Sequence, residues 1–319
     1  MSASHRFAAV SGRSVVRLRT LADPVNGAKM GVHLGMSGAS RVGVMRVWIN
    51  GELLPDASAP AVPVTDHGLT VGDAVFEAVK VVDGQPFALQ RHLDRLARSA
   101  AGLGLIGLDL DAVRRGVLAV LESDAMPLGR LRITVTGGNA PLGSGRGDEP
   151  LTHIVVAAPM EPAAPTTSAV TVGWPRNERG PLAGLKTTSY AENVVALAAA
   201  RQAGATEAIF ANLAGHLCEG TGTNVFYVID GELRTPTLAS GCLAGVTRDL
   251  VLDWFGGVEV DEPIEVAQAA DEVFLVSTTR DVQGVHRWDD RELVAPGPVT
   301  TAAAQAWRDN EHSLIGFDR

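Results

Sequence analysis

The sequence has little of what marks a disulfide-stabilised, membrane-spanning or nucleic-acid-binding protein. Its 319 residues include only two cysteines, too few for a disulfide framework, so we expect a reduced, cytoplasmic protein. No apolar run approaches the ~20 residues that a transmembrane helix needs, so we expect no membrane partner. Lys and Arg number 27 against 36 Asp and Glu, without a basic tract, and this balance disfavours nucleic-acid binding.

The common local signatures of nucleotide and metal chemistry are also missing. The chain has no G-x-x-x-x-G-K-[ST], no C-x-x-C and no H-E-x-x-H, so we expect no metal site. Its composition is that of a globular protein, with 46% hydrophobic and 20% charged residues. At ~150 residues per domain, the length predicts about two domains.

The first 44 residues differ from the rest of the chain. They contain several basic residues but only one acidic residue, Asp23, and their hydrophobic residues do not recur at a regular spacing. We predict that residues 1–44 are a disordered extension and assign them no function. An organelle transit peptide is the alternative interpretation of such an Arg-rich, acid-poor segment.

Strand and helix patterns are mixed in both halves of the remaining chain, which predicts an α/β or α+β fold. A segment rich in Pro and Ala predicts a linker at 161–168, between a small domain at 45–160 and a larger domain at 169–319. The predicted strands lie at 45–53, 74–82, 130–136, 152–158, 170–174, 208–212, 224–229 and 273–277. The predicted helices lie at 90–103, 110–121, 192–203, 248–254 and 299–308.

Two charged residues stand in unusual surroundings. Lys186 follows a run of small and apolar residues, and partial burial would lower the pKa of its amine and make it a better nucleophile. The alternative is a lysine at a helix start with a solvated head. Glu219 lies among small residues before a strand, where a carboxylate could pair with a protonated ring nitrogen of a flat ligand. The alternative is a glutamate in a turn.

Two short clusters could hold a phosphate group. Val246 and Thr247 come immediately before a predicted helix, where backbone amides bind anions. Ser277 and Thr278 follow a predicted strand and add hydroxyl groups. Simple N-capping by Thr247 is the alternative interpretation of the first cluster.

Arg95 could also reach a phosphate, because its guanidinium is a forked donor and it shares a helix face with His92. The alternative for Arg95 is a surface network with its charged neighbours Arg91, Asp94 and Arg98.

Taken in order, these segments resemble one family, the class IV (fold-type IV) pyridoxal-phosphate enzymes. That family includes branched-chain aminotransferases, D-amino-acid aminotransferases and aminodeoxychorismate lyases. The resemblance runs from about Met45 to the C-terminus. The segments that carry it are Asp66–Glu77, His92–Leu96, Lys186, Glu219–Phe226, Gly245–Arg248 and Ser277–Thr279.

The resemblance implies two α/β domains with pyridoxal 5'-phosphate (PLP) between them, a small-molecule substrate and a homodimer. It implies that Lys186 is the Schiff-base lysine and proton carrier, and that Glu219 is the partner of the pyridine nitrogen. The phosphate contacts that it implies are Arg95, Val246, Thr247, Ser277 and Thr278.

Within the family, the sequence looks closest to aminodeoxychorismate lyase, which releases pyruvate to give 4-aminobenzoate for folate biosynthesis. The glycine-rich segment at 136–147 and the surroundings of Lys186 resemble those of lyases. The alternative is an aminotransferase that acts on D-amino acids or branched-chain amino acids with 2-oxoglutarate.

Four residues bear on the substrate and the reaction. Arg146 could clamp a substrate carboxylate. Ala78 departs from the Thr that lyases and D-amino-acid enzymes often carry there, and this departure counts against the lyase interpretation unless Thr187 or Thr188 supplies the hydroxyl.

Overall fold

Two β-sheets with helices packed against them make up the described chain. The structure is a computed structural model that describes residues 45–122 and 126–317. The extension predicted at 1–44 lies outside the described residues. The mixed helix and strand content confirms the predicted α/β class.

The first sheet has six antiparallel strands in the order β2-β1-β6-β5-β3-β4. Its strands are β1 (Arg46–Ile49), β2 (Glu52–Leu53), β3 (Ala74–Val82), β4 (Gln85–Pro86), β5 (Leu128–Thr136) and β6 (Thr152–Pro159). The helices of this half are α1 (His67–Thr70), α2 (Leu89–Leu103) and α3 (Leu110–Leu121).

Helices α2 and α3 supply the apolar side chains that cover the first sheet. In α2, Leu89, Leu93, Leu96 and Ala100 recur at helical spacing and are buried in one core with strand β3. Burying each leucine is worth roughly 1.5–3 kcal/mol, so this stripe fixes the helix on the sheet. The same helix therefore presents Arg95 at a fixed position.

The second sheet has nine strands, with β12-β11-β10-β13-β14-β7-β8-β9 in order and β15 beside β14. Its strands are β7 (Thr166–Thr171), β8 (Glu207–Ala211), β9 (Leu217–Gly220), β10 (Asn224–Ile229), β11 (Glu232–Pro236), β12 (Val258–Val260), β13 (Glu272–Ser277), β14 (Asp281–Trp288) and β15 (Arg291–Glu292). The helices of this half are α4 (Ala191–Gln202), α5 (Val246–Trp254), α6 (Ile264–Gln268) and α7 (Pro298–Glu311).

Both faces of the second sheet are buried at its centre. Along β10, Phe226 and Val228 pack into one core with α5 and α7, while Val225 and Tyr227 pack into another with α6. A strand buried on both sides reads as a continuous apolar run. This explains why the sequence predicted β10 with its observed bounds.

One strand begins earlier than predicted, within the segment that was predicted to be a linker. The sequence predicted a strand at 170–174, but β7 begins at Thr166 and ends at Thr171. Strand β7 begins with the polar residues Thr166, Thr167 and Ser168, so its start carries no apolar pattern. It is placed by its parallel pairing with β14, in which Gly284 lies opposite Thr166. Since the two sheets belong to one compact unit, the division into two domains stays a prediction.

The segment that carries Lys186 joins the two halves. The Phe76 amide donates to the Lys186 carbonyl over 2.9 Å, and the Thr188 amide donates to the Ala74 carbonyl over 2.8 Å. Thr187 of the second half thus forms an antiparallel β-bridge with Val75 of strand β3. Within residues 45–122 and 126–317, no helix has the length and apolarity to cross a bilayer.

Candidate active site

A cavity of about 400 Å³ lies where residues of both halves meet. Ala78 and Arg95 line it from the first half, and the rest of its wall comes from the second half. The structure brings all of the predicted cofactor residues to this wall. They are Arg95, Lys186, Glu219, Val246, Thr247, Ser277 and Thr278.

Lys186 lines the cavity, and its amine loses its proton more easily than that of an ordinary lysine. Burial and the charge of Arg95 lower the pKa of the Lys186 amine to about 8. Its Nζ lies 4.3 Å from the centroid of the Phe76 ring, and its backbone amide donates to Ser99 Oγ. The alternative of a helix-start lysine is wrong, because Lys186 lies in the extended segment beside β3 and α4 begins at Ala191.

Glu219 lies on strand β9, so the alternative of a glutamate in a turn is also wrong. The Leu243 amide donates to Glu219 Oε2 over 2.9 Å, and Arg176 Nε lies 3.4 Å from Glu219 Oε1. Burial raises the pKa of the Glu219 carboxyl, while Arg176 and the Leu243 amide oppose that rise. Glu219 is therefore an acceptor that lines the cavity, with one hydrogen bond from the Leu243 amide and the positive charge of Arg176 beside it.

The beginning of helix α5 lies at the wall of the cavity. Gly245 is the N-cap, and no side chain caps the helix, so Thr247 lies in the first turn rather than at the cap. A Cβ on Gly245 would lie 2.0 Å from Asn224 Oδ1, so any other residue at this position would require the Asn224 side chain to move. The first amides of α5 are consequently available to an anion, as is usual at a helix N-terminus.

Arg95 is held in a buried charge cluster. Its Nε and Nη2 donate to the two carboxylate oxygens of Glu77 over 2.8 and 2.7 Å, and its Nη1 donates to the Ala244 carbonyl. His92 Nδ1 lies 2.7 Å from the same carboxylate. The Arg95 guanidinium, assisted by His92, lowers the pKa of Glu77 to about 2 against the effect of burial.

The alternative of a surface network for Arg95 is therefore wrong. Arg95 is 5% exposed, whereas Arg91 forms a separate exposed ion pair with Asp253. Three of the five N–H donors of the Arg95 guanidinium are used in the contacts above, which leaves two for a ligand in the cavity.

The structure does not bring Arg146 and Thr188 to the cavity wall. The Arg146 guanidinium donates to the Asp73 carboxylate and to the carbonyls of Leu103 and Gly104. Thr188 Oγ1 donates to the Gly72 carbonyl over 3.1 Å. Both side chains are occupied by contacts that fix the backbone, which sequence spacing could not reveal.

Sequence reasoning missed Arg176 and Tyr190, which also line the cavity. Arg176 Cζ lies 4.0 Å from the centroid of the Phe210 ring, and its Nη1 donates to Glu192 Oε2 over 2.7 Å. The Tyr190 ring packs edge-on against Phe76. No sequence motif marks either residue, because each reaches the cavity only through the tertiary arrangement of the strands.

The residues present fit a phosphorylated pyridine aldehyde such as PLP. An amine of lowered pKa suits capture of an aldehyde, and a carboxylate suits the ring nitrogen. A helix N-terminus with hydroxyl groups and a buried arginine suits the phosphate. This combination defines a PLP enzyme of fold type IV.

The comparisons with known proteins place the chain in a particular family. The model of "Amino-transferase class IV" matches residues 74–288. A Methanocaldococcus jannaschii protein named "Putative branched-chain-amino-acid aminotransferase" is 33% identical, over 83% of this chain and 96% of its own. The D-alanine aminotransferase of Bacillus licheniformis is 29% identical, over 80% and 93% of the two chains. The chain therefore belongs to the class IV aminotransferase family.

Solved structures agree with this assignment. A fold IV transaminase from Curtobacterium pusillum is 30% identical with a TM-score of 0.73, over 82% of this chain and 98% of its own. A structure named "A hypothetical aminotransferase from Mycobacterium tuberculosis, PLP-bound form" is 26% identical with a TM-score of 0.74, over 86% of this chain and 100% of its own. PLP is the cofactor of the family.

A Legionella pneumophila protein named "Putative 4-amino-4-deoxychorismate lyase" has a TM-score of 0.75, over 81% of this chain and 98% of its own. Its identity is 23%, so it shares the fold alone. The relatives named above therefore favour the predicted alternative, an aminotransferase, over the predicted lyase.

Proposed function

We propose that this protein is a PLP-dependent aminotransferase that moves the amino group of a branched-chain amino acid to 2-oxoglutarate. The observation that carries the choice against the lyase is the similarity to named aminotransferases. Ala78 is consistent with this choice, because it lines the cavity and has no hydroxyl group to relay a proton. Thr188 cannot supply that hydroxyl from its observed position, because its Oγ1 is bonded to Gly72. Thr187, which lines the cavity, is the remaining candidate for a relay.

The wall near Lys186 supports an aliphatic substrate. Leu182 and Leu185 line the cavity from the preceding loop, and Ala78 lines it from the first sheet. Apolar side chains favour a ligand side chain of the same character, since both leave water on binding. A cyclic, polar substrate such as aminodeoxychorismate would find fewer polar partners on this part of the wall.

We assign roles to the wall residues as follows. Bound PLP supplies an electron sink that makes the α-proton of an amino acid acidic. Lys186 holds the cofactor, and its freed amine takes that proton and returns it, which its lowered pKa permits near neutral pH. Glu219 accepts a hydrogen bond from the ring nitrogen. Arg95, the amides of Val246 and Thr247, and the hydroxyls of Ser277 and Thr278 would hold the phosphate of the cofactor.

A D-amino-acid aminotransferase is the second candidate, because the Bacillus licheniformis relative is a D-alanine aminotransferase. The resemblance to the family counts against it, because it implies an Arg and an Arg-x-His that trap the carboxylate in D-amino-acid enzymes. This chain has Gly137, Leu142 and Ser144 in that region.

We further propose that the protein works as a cytoplasmic homodimer. Val194 and Val195, on helix α4, are 65% and 58% exposed, and a second copy would cover such apolar side chains. The two cysteines are free thiols, as expected in a reducing compartment. Light scattering after size exclusion measures the mass directly, and a monomer at assay concentration would contradict the dimer.

The function is tested by a matched set of assays on the PLP-loaded protein. L-leucine, D-alanine and aminodeoxychorismate are supplied separately, the first two with 2-oxoglutarate. We expect glutamate from L-leucine at the highest rate. Fast release of pyruvate and 4-aminobenzoate, with little glutamate from either amino acid, would establish the lyase instead.

A further inference from the structure

Arg176 occupies a place that the proposed function leaves unexplained. Phe210 on β8 lies directly opposite Glu219 on β9 in the strand register, so their side chains share one face of the sheet. The Arg176 guanidinium stacks on the Phe210 ring, with Cζ 4.0 Å from the ring centroid. That stacking brings the cation beside Glu219.

The contacts of Arg176 are unequal. Its Nη1 makes a 2.7 Å bond to Glu192, whereas its buried Nε makes no hydrogen bond within the described residues. Glu219 Oε1 lies 3.4 Å from this Nε, which is an electrostatic contact rather than a hydrogen bond. Glu219 Oε1 is therefore stabilised by a positive charge and can still accept a hydrogen bond from a ligand.

This arrangement affects the position of a proton shared between the Glu219 carboxylate and the ring nitrogen of a bound cofactor. A carboxylate that faces a pyridine nitrogen can leave the proton on the nitrogen, as an ion pair, or hold it as a neutral acid. Burial favours the neutral pair, because it disfavours charge on both groups. A cation on the carboxylate side favours the ion pair.

We propose that Arg176 is a positioning residue that keeps Glu219 ionised, so that the shared proton resides on the cofactor ring nitrogen. This inference rests on the proposed pairing of Glu219 with that nitrogen. A protonated ring nitrogen makes PLP the stronger electron sink. Arg176 thereby acts on the reaction through Glu219 and does not itself need to touch the substrate.

Other charged and titratable groups around Glu219 do not replace Arg176. Lys186 also favours the ionised carboxylate, but its amine is the group that becomes covalently engaged when the cofactor is held. Glu207 opposes ionisation. The remaining groups coupled to Glu219 are uncharged in their usual states: Tyr190, Cys218 and Cys242. Arg176 is the permanent cation among these groups.

The proposal is tested with PLP that carries ¹⁵N at the ring nitrogen, bound to the full-length protein at pH 7.5. The ¹⁵N chemical shift separates a protonated from an unprotonated pyridine. We expect a protonated nitrogen in the unmodified protein and an unprotonated one in Arg176→Met or in Arg176→Gln, whichever folds. Arg176→Lys keeps the charge, and its shift is expected to stay nearer to that of the unmodified protein.

A second readout is the affinity for PLP relative to 1-deaza-PLP, in which carbon replaces the ring nitrogen. Loss of the charge-assisted hydrogen bond in Arg176→Met is expected to lower that ratio about tenfold. A purely structural role would lower both affinities equally. The matched control is Arg179→Met, an exposed arginine in the same loop whose ion pair is with Glu178.

Glu219→Gln separates the two levels of the proposal. If Glu219→Gln loses the protonated nitrogen while both neutral Arg176 variants keep it, Arg176 has no such role and the inference is overturned. If Glu219→Gln keeps the protonated nitrogen, the pairing in the proposed function is itself wrong.

Discussion

Lys186 and Phe76 are joined twice. The Phe76 amide donates to the Lys186 carbonyl over 2.9 Å, and the Lys186 Nζ lies 4.3 Å from the centroid of the Phe76 ring. A residue of the second half is thereby held by a strand of the first half, with its amine at the cavity. The relationship explains how a lysine without a helix or a turn to fix it is kept in one place.

The first prediction concerns the identity of the amine. Lys186→Ala is expected to abolish turnover and leave the fold intact, because no backbone hydrogen bond of the segment depends on the side chain. Borohydride reduction of the PLP-loaded protein followed by peptide mass spectrometry should place the cofactor on Lys186. Retained turnover in Lys186→Ala, with an unchanged circular dichroism spectrum as the control, would remove Lys186 from its role.

The second prediction concerns pH. The Lys186 amine must be neutral to attack an aldehyde, and burial together with Arg95 lowers its pKa to about 8. The rate at which the cofactor-free protein captures PLP should therefore rise with pH and level off above about 8. Stopped-flow absorbance measures that rate. An inflection near the 10.5 of an unperturbed lysine would show that the amine is solvated.

The third prediction concerns the buried cluster around Glu77. Arg95→Met leaves the Glu77 carboxylate buried without its cation, which typically costs about 3–5 kcal/mol in the free energy of unfolding. PLP affinity should fall as well. Urea unfolding measures the first effect, and the double variant Arg95→Met/Glu77→Gln should recover part of it.

Arg91→Met is the matched control on the same helix. Its ion pair with Asp253 is exposed, so its loss should cost less than about 1 kcal/mol. Equal losses in the free energy of unfolding for Arg91→Met and Arg95→Met would contradict a buried charge cluster around Arg95.

The fourth prediction concerns His67, which is 1% exposed. Its Nδ1 lies 2.9 Å from Asp73 and its Nε2 lies 3.1 Å from the Gly143 carbonyl. Both partners are acceptors, so only the protonated ring donates to both. The Asp73 carboxylate accordingly raises the pKa of His67 above its ordinary value of about 6.5.

A raised pKa in the folded state fixes the sign of the pH dependence. The stability that His67 contributes is complete below about pH 6.5, and it is lost as pH rises through the folded pKa. The difference in unfolding free energy between the unmodified protein and His67→Gln should be larger at pH 6 than at pH 9. Replacing the exposed His312 with Gln should give no such trend, and a difference for His67→Gln that is constant with pH would contradict the prediction.

Local patterns predicted most of the secondary structure, and the reason is visible in the cores. Strand β3 and helix α3 have their predicted bounds because each presents a regular apolar pattern to one core. Strand β14 was missed, since Gly284 and several polar residues interrupt its pattern. Its place in the sheet is set by its neighbours β13 and β7, which the sequence of β14 alone does not encode.

The residues of the candidate site also differ in whether the sequence could predict them. Lys186 and Glu219 could be found because each stands in a segment that resembles a family motif. Arg176 could not, since its role follows from the register that sets Phe210 opposite Glu219. Arg146 has the right chemistry for a carboxylate clamp, but its donors are directed to Asp73 and two backbone carbonyls.

A single half-reaction shows whether the protein transfers an amino group. The PLP-loaded protein is mixed with L-leucine in the absence of any acceptor, and the cofactor spectrum and the released keto acid are measured. We expect one equivalent of keto acid per site and conversion of the cofactor to its amine form. A cofactor that stays in its aldehyde form with L-leucine, while aminodeoxychorismate yields pyruvate and 4-aminobenzoate over many turnovers, would contradict the proposed amino transfer.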